Sequence, residues 1–153
     1  MNRSLPACAR MLVSVMLCAC TTKRTEISVE RGSTADSLVF HVGGTLGSRP
    51  VSLGILRVDE CAQLLGSGGT FPEPDQTTWV MEAIVGEAPP VSSILYGHPP
   101  PGYHDLQPAR PLRLPGCYVA TISGTGAVGF EVSLTGSIRE MSEAELERRT
   151  VPR

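Results

Sequence analysis

The sequence predicts an all-β protein, a single antiparallel β-sandwich or small barrel of about seven short strands followed by a short C-terminal helix or tail. Three observations carry this. The 153 residues include 16 Gly and 13 Pro but only 18% charged residues, a balance that favours short strands joined by turns over long helices. Hydrophobic residues alternate with period two in several separate segments. Clusters of Gly or Pro separate nearly every pair of those segments.

Residues 1–19 are set apart by composition. Arg3 and Arg10 supply positive charge, no acidic residue precedes Glu26, and Met11 to Leu17 forms a short apolar run followed by small residues. This is the order of a secretory signal peptide. The run falls well short of the roughly 18–20 apolar residues that span a bilayer. Residues 20–36 are polar and read as a tether, within which Ile27 and Val29 alternate and are spaced to add an edge strand. A flexible tether of this length spans on the order of 20 Å.

Residues 37–138 hold the strand-like segments. Leu38, Phe40 and Val42 alternate with Val39 and His41. Val51, Leu53 and Ile55 share one parity, while Leu56 and Val58 break it, as at a bulge or bend. Trp79, Met81 and Ala83 share a face of the segment Thr77 to Val85. A short segment runs from Ser92 to Tyr96. Cys117 to Ser123 precedes Val128, Phe130, Val132 and Leu134, which alternate with Gly129, Glu131, Ser133 and Thr135. The tail, residues 139–153, is polar. In it Ser142 and Glu145 fit a helix capping box, and Glu145 is placed to pair with Arg149 one turn on.

Net charge is −2 and Lys23 is the only lysine, so no basic block exists to coat a phosphate backbone. Nucleic acid is thereby excluded as an expected partner.

Leu17-Cys18-Ala19-Cys20 resembles the lipobox of bacterial lipoprotein precursors. The resemblance implies that the Cys20 thiol is lipidated, that the chain is cut before it, and that the lipid bilayer is a partner. Cys8 and Cys18 would leave with the signal. Thr21, in place of the aspartate that retains lipoproteins at the inner membrane, implies the periplasmic face of the outer membrane. Cys61 and Cys117 then remain in an oxidising compartment, where they form a disulfide candidate.

Leu112-Arg113-Leu114-Pro115-Gly116-Cys117-Tyr118-Val119 resembles the lead into strand F of fibronectin type III-like and immunoglobulin-like domains, both β-sandwiches. The resemblance implies that Tyr118 is a structural tyrosine whose hydroxyl bonds back to the backbone. It maps the strands as A near 37–43, B near 51–59, C near 77–85, C′ near 92–96, E near 110–114, F near 117–123 and G near 127–135. In that mapping Cys61 ends B and Cys117 begins F. Those strands run the same way with these ends far apart, so the mapping and the disulfide stand in tension.

Gly124-Thr125-Gly126-Ala127-Val128-Gly129 matches the dinucleotide pattern G-x-G-x-x-G. The pattern needs a helix opening at the third glycine, and here a strand-like alternation follows. The glycines are expected to serve a hairpin turn. Gly66-Ser67-Gly68-Gly69-Thr70 lacks the lysine of a phosphate loop. Tyr96 to Asp105 places Tyr96, His98, Tyr103 and His104 around three prolines, as a rigid aromatic loop against a partner, a metal site using His98, His104 and Asp105, or a structural crossover between sheets. No nucleophile motif and no pair of carboxylates suited to acid–base work is visible. The expectation is a non-enzymatic envelope module without a cofactor that binds protein or glycan through loops 66–76 and 97–109. The alternative is a periplasmic carrier of a small ligand or metal.

Overall fold

The computed structural model describes residues 25–44, 49–66, 77–123 and 126–150. Residues 1–24, including the expected signal segment and Cys20, together with loop 67–76 and Gly124-Thr125, lie outside the described residues. The strands are β1 (Thr25–Val29), β2 (Val39–Gly44), β3 (Ile55–Glu60), β4 (Trp79–Ala83), β5 (Ser93–Leu95), β6 (Tyr103–Gln107), β7 (Gly116–Ile122), β8 (Gly126–Val132) and β9 (Ile138–Glu140). Two short helices, α1 (Cys61–Gly66) and α2 (Glu143–Thr150), follow β3 and β9.

The strands form two antiparallel sheets, one of order β1-β2-β5 and one of order β6-β4-β3-β7-β8-β9. Period-two alternation explains the packing, because one face of each strand lines a shared core. Ile27, Phe40, Val42 and Ile94 enter it from the smaller sheet. Leu56, Val58, Trp79, Met81, Tyr118 and Phe130 enter it from the larger. Phe130 stacks on Tyr118 at 5.5 Å and meets Phe40 edge-on at 5.9 Å across the sheets. The opposite parity of β7 faces outward. There Val119 joins Cys61 and Met141 in a second small cluster, with Leu64, Cys117 and Leu146 against it.

Several elements differ from the sequence reading. Segment 51–59 is split. Val51 pairs with Val91 beside the smaller sheet, whereas β3 starts at Ile55 in the larger. The parity break at Leu56 is therefore a change of sheet rather than a bulge. No strand forms over 110–114, where Pro111 removes an amide donor and Pro108 and Pro115 flank the segment. The edge strand of the larger sheet on this side is instead β6. β9 was not foreseen, because three residues are too few to show a period.

The assignment of parallel directions to segments 51–59 and 117–123 is also overturned. β3 and β7 are antiparallel neighbours, with Leu56 opposite Ile122 and Glu60 opposite Tyr118. One further step along this register sets Cys61 opposite Cys117. They form a disulfide with Cα atoms 5.4 Å apart.

Of the glycines in the G-x-G-x-x-G pattern, Gly126 and Gly129 pack in β8 rather than turn, while Gly124 lies in the β7–β8 connection outside the described residues. Gly126 and Gly129 lie within β8 and have no positive φ. A Cβ on Gly126 would strike the Thr25 carbonyl of β1. A Cβ on Gly129 would come within 2.8 Å of Leu146 Cδ1 and Met141 Cε under α2. Gly129→Val is accordingly expected to lower stability by about 1–3 kcal/mol through overpacking. Limited proteolysis should cut α2 from this variant first, while the β circular-dichroism signal persists.

Candidate functional site

The two ends of the sandwich are built differently. At the first end lie the start of β1, the turn after β4 and the β7–β8 hairpin. Gly126 abuts the Thr25 carbonyl there, and Ser123 N donates to Ile55 O. The chain reaches β1 from residue 24 at this end. At the other, distal end lie Glu30–Leu38, Tyr96–His98, Pro108–Gly116 and Ser133–Ser137, together with the disulfide.

Distal loops are fastened by hydroxyl-to-backbone bonds. Arg113 N donates to the Tyr118 hydroxyl oxygen, closing the corner that leads into β7. Gly116 makes this possible, because a Cβ there would overlap the Tyr118 ring and the Arg113 carbonyl. Burial pushes the Tyr118 phenol above its ordinary range, with the Arg113 bond opposing, so the hydroxyl stays neutral. The Leu114–Pro115 peptide is cis. The Tyr96 hydroxyl donates to Arg110 O at 2.7 Å, and its ring meets Trp79 edge-on at 5.2 Å. Trp79 Nε1 in turn donates to Asp105 Oδ1 at 2.6 Å. Ser133 Oγ lies 2.7 Å from Ser137 Oγ and 2.9 Å from Thr135 Oγ1, around Gly136 with its φ of 80°. Thr34 pairs with Ser137 and ties the β1–β2 loop to the same end.

The aromatic segment 96–105 divides. Tyr103 is buried at the start of β6, where its hydroxyl donates to Pro89 O at 3.0 Å and accepts from Leu53 N at 3.3 Å. Pro99–Pro101 carries the chain from the smaller sheet to the larger. His98 is exposed at the distal end, whereas His104 lies on β6 with Nε2 4.0 Å from Glu82 Oε2. The segment therefore does not present its two tyrosines to solvent, because both rings complete the core edge. Asp105 already accepts from an indole. Among the described residues no three His, Cys, Asp or Glu side chains converge as a metal site.

Two charged features differ from what the sequence suggests, the first being Asp59, whose turn-like sequence context points to a solvated carboxylate but which lies in β3. Asp59 is fully buried, and desolvation raises its carboxyl pKa against the opposing Arg57 charge 3.5 Å away. A raised carboxyl suits a general acid, but this one is enclosed and no substrate can reach it. On the surface, Arg139 of β9 bonds Glu131 at 2.8 Å and Glu145 at 3.1 Å, while Arg149 bonds Glu131 at 2.9 Å. Glu145 therefore pairs with Arg139 and not with Arg149. It also closes the capping box, accepting from Ser142 N at 2.9 Å. This network binds the outer face of β8 and β9 to α2.

Chemically, the distal end is a set of short loops with fixed backbones. It exposes Leu134 at 76%, Leu114 at 47% and the Arg113 guanidinium. Rigid loops of this kind lose little entropy when they meet a ligand.

Tyr118→Phe removes the acceptor for Arg113 N and should cost about 1–3 kcal/mol in urea unfolding. The Glu145 network sets an acid limit. The Arg139 bonds, followed by the cap bonds from Ser142, depress the carboxyl from 4.5 to about 2. A depressed carboxylate contributes stability that is present above its unfolded value and is lost as pH falls through its folded value. Protection factors of the α2 amides, taken relative to intrinsic exchange at each pH, should therefore fall between pH 4.5 and 2, and Glu145→Gln should abolish that acid step.

No protein-family model, curated protein or solved structure matches this chain.

Proposed function

We propose that the chain is a membrane-anchored bacterial envelope lipoprotein. Its β-sandwich, of immunoglobulin-like or fibronectin type III-like kind, acts as a non-enzymatic binding or scaffolding module. The lipobox resemblance at Leu17–Cys20 supports the anchor, and Thr21 supports the periplasmic face of the outer membrane. The Tyr118 corner supports the family resemblance of the sandwich. A disulfide between Cys61 and Cys117 suits an oxidising compartment.

The observation that carries the binding reading is the distal end itself. Leu114 and Leu134 are held out in solvent on backbones pinned by Tyr118, Tyr96 and the Ser133–Ser137 hydroxyls. Large apolar side chains on fixed loops, far from where the chain joins its tether, suit an envelope protein or glycan. Photo-crosslinkers at Leu114, His98 and Leu134 should give one discrete adduct in intact cells, and Leu134→Asp should reduce capture from the other two sites. Equal diffuse labelling from these sites and from Glu147 on α2 would refute the proposal.

A further inference from the structure

We infer that the turn between β4 and β5 rests on the lipid surface to which the chain is tethered, with Val85 as its contact. The inference deepens the anchored reading above and rests on acylation of Cys20.

Val85 is 97% exposed, the highest value among the described large hydrophobic residues. It does not sit on a loose loop. Glu87 N donates to Ile84 O at 3.0 Å, and Gly86 at φ 82° completes a tight turn with Val85 at its tip. The turn is held from both sides, since Ala83 N donates to Gly54 O and Ile84 N to Gly102 O, each at 2.9 Å. Gly102 cannot bear a side chain without striking the Glu87 carbonyl, so the turn packs directly on backbone. A valine is thus displayed to solvent by a rigid frame.

A lone exposed valine is ordinary on a protein surface. Its placement sets this one apart. β4 ends at the same end of the sandwich at which β1 begins. Ile55 pairs with Glu82 there, Ser123 N bonds Ile55 O, and Gly126 touches the Thr25 carbonyl. Thr25 follows Cys20 by five Cα-to-Cα steps. Even fully extended they reach only about 18 Å. An acyl chain on Cys20 therefore confines this end to the neighbourhood of the headgroups. Lys23 and Arg24 lie in the link and favour an anionic surface. Glu26 and Glu87 flank the end and are exposed, which limits close approach to the apolar tip. Leu134 lies at the opposite end and provides an internal reference.

The test uses the full-length lipoprotein, processed in a bacterial host and reconstituted in vesicles of phosphatidylethanolamine and phosphatidylglycerol. Val85→Cys and Leu134→Cys variants each carry one fluorophore, and Cys61 and Cys117 are already paired. A quencher on the lipid tails should quench the label at 85 severalfold more than the label at 134. Mass spectrometry of the same samples reads the state of Cys20. Acylated protein with equal, solvent-like signals at both positions overturns the orientation alone. An unacylated Cys20 overturns the anchored reading, and the orientation with it. A signal at 85 that follows protein density and ignores the lipid quencher overturns the lipid contact in favour of a second copy.

Discussion

The antiparallel register of β3 against β7 is the constraint on which the rest of the molecule depends. Leu56 opposite Ile122, and Glu60 opposite Tyr118, turn the two strands' apolar faces the same way. Val58, Tyr118 and Ala120 then share the core face with Trp79 and Phe130. The opposite face receives Val119 and, one step beyond the ladder, Cys61 across from Cys117. A slip of one residue would send every one of these side chains to the wrong face. The disulfide and the Tyr118 corner both sit at the distal end of this pair and lock the same register. A bridge that closes 56 residues of chain contributes about 4 kcal/mol by chain-entropy reasoning.

From this central pair the larger sheet grows outward to two different kinds of edge. One edge, β6, stays short and bulged, with a register shift opposite Val80/Met81, and it exposes His104 and Leu106 to solvent. Its shortness and bulge discourage pairing with another chain. The other edge, β9, is backed by α2, which settles over Gly129 and is held by the Arg139, Glu131 and Glu145 ion network. Exposed ion pairs of this type contribute little singly, and their joint geometry matters more. β1 lies over the same region, so Val29 N can donate to Glu140 Oε2 at 2.9 Å. The N-terminal and C-terminal elements thereby meet on one side of the molecule.

The outcome is a polarised sandwich. One end holds the start of β1 and bears a rigid apolar tip at Val85. The other is stapled, hydroxyl-pinned and displays Leu114 and Leu134. The bonds that fix the backbone and the exposed apolar side chains thus coincide at the distal end. The buried Asp59 beside Arg57 belongs to the structural side of this division. It is enclosed under the outer face of the larger sheet, where ionisation is disfavoured and access is closed.

The sequence by itself determined the all-β class, because period-two alternation and Gly or Pro punctuation are local and need no partner to be seen. It determined the capping box of α2 for the same reason, since Ser142 and Glu145 are three residues apart. It also determined which chemistries lack a motif. The lipobox at Leu17–Cys20 remains a reading of sequence alone. Only the tertiary structure decided the strand order, because pairing is a choice among distant segments whose alternation looks alike. That choice set Cys61 against Cys117 and placed β6, not 110–114, at the sheet edge. It drew Tyr103 into the core and gave the Gly126 and Gly129 gaps to β1 and α2. A glycine motif records only that a side chain is missing. What approaches the vacancy depends on packing between segments remote in sequence.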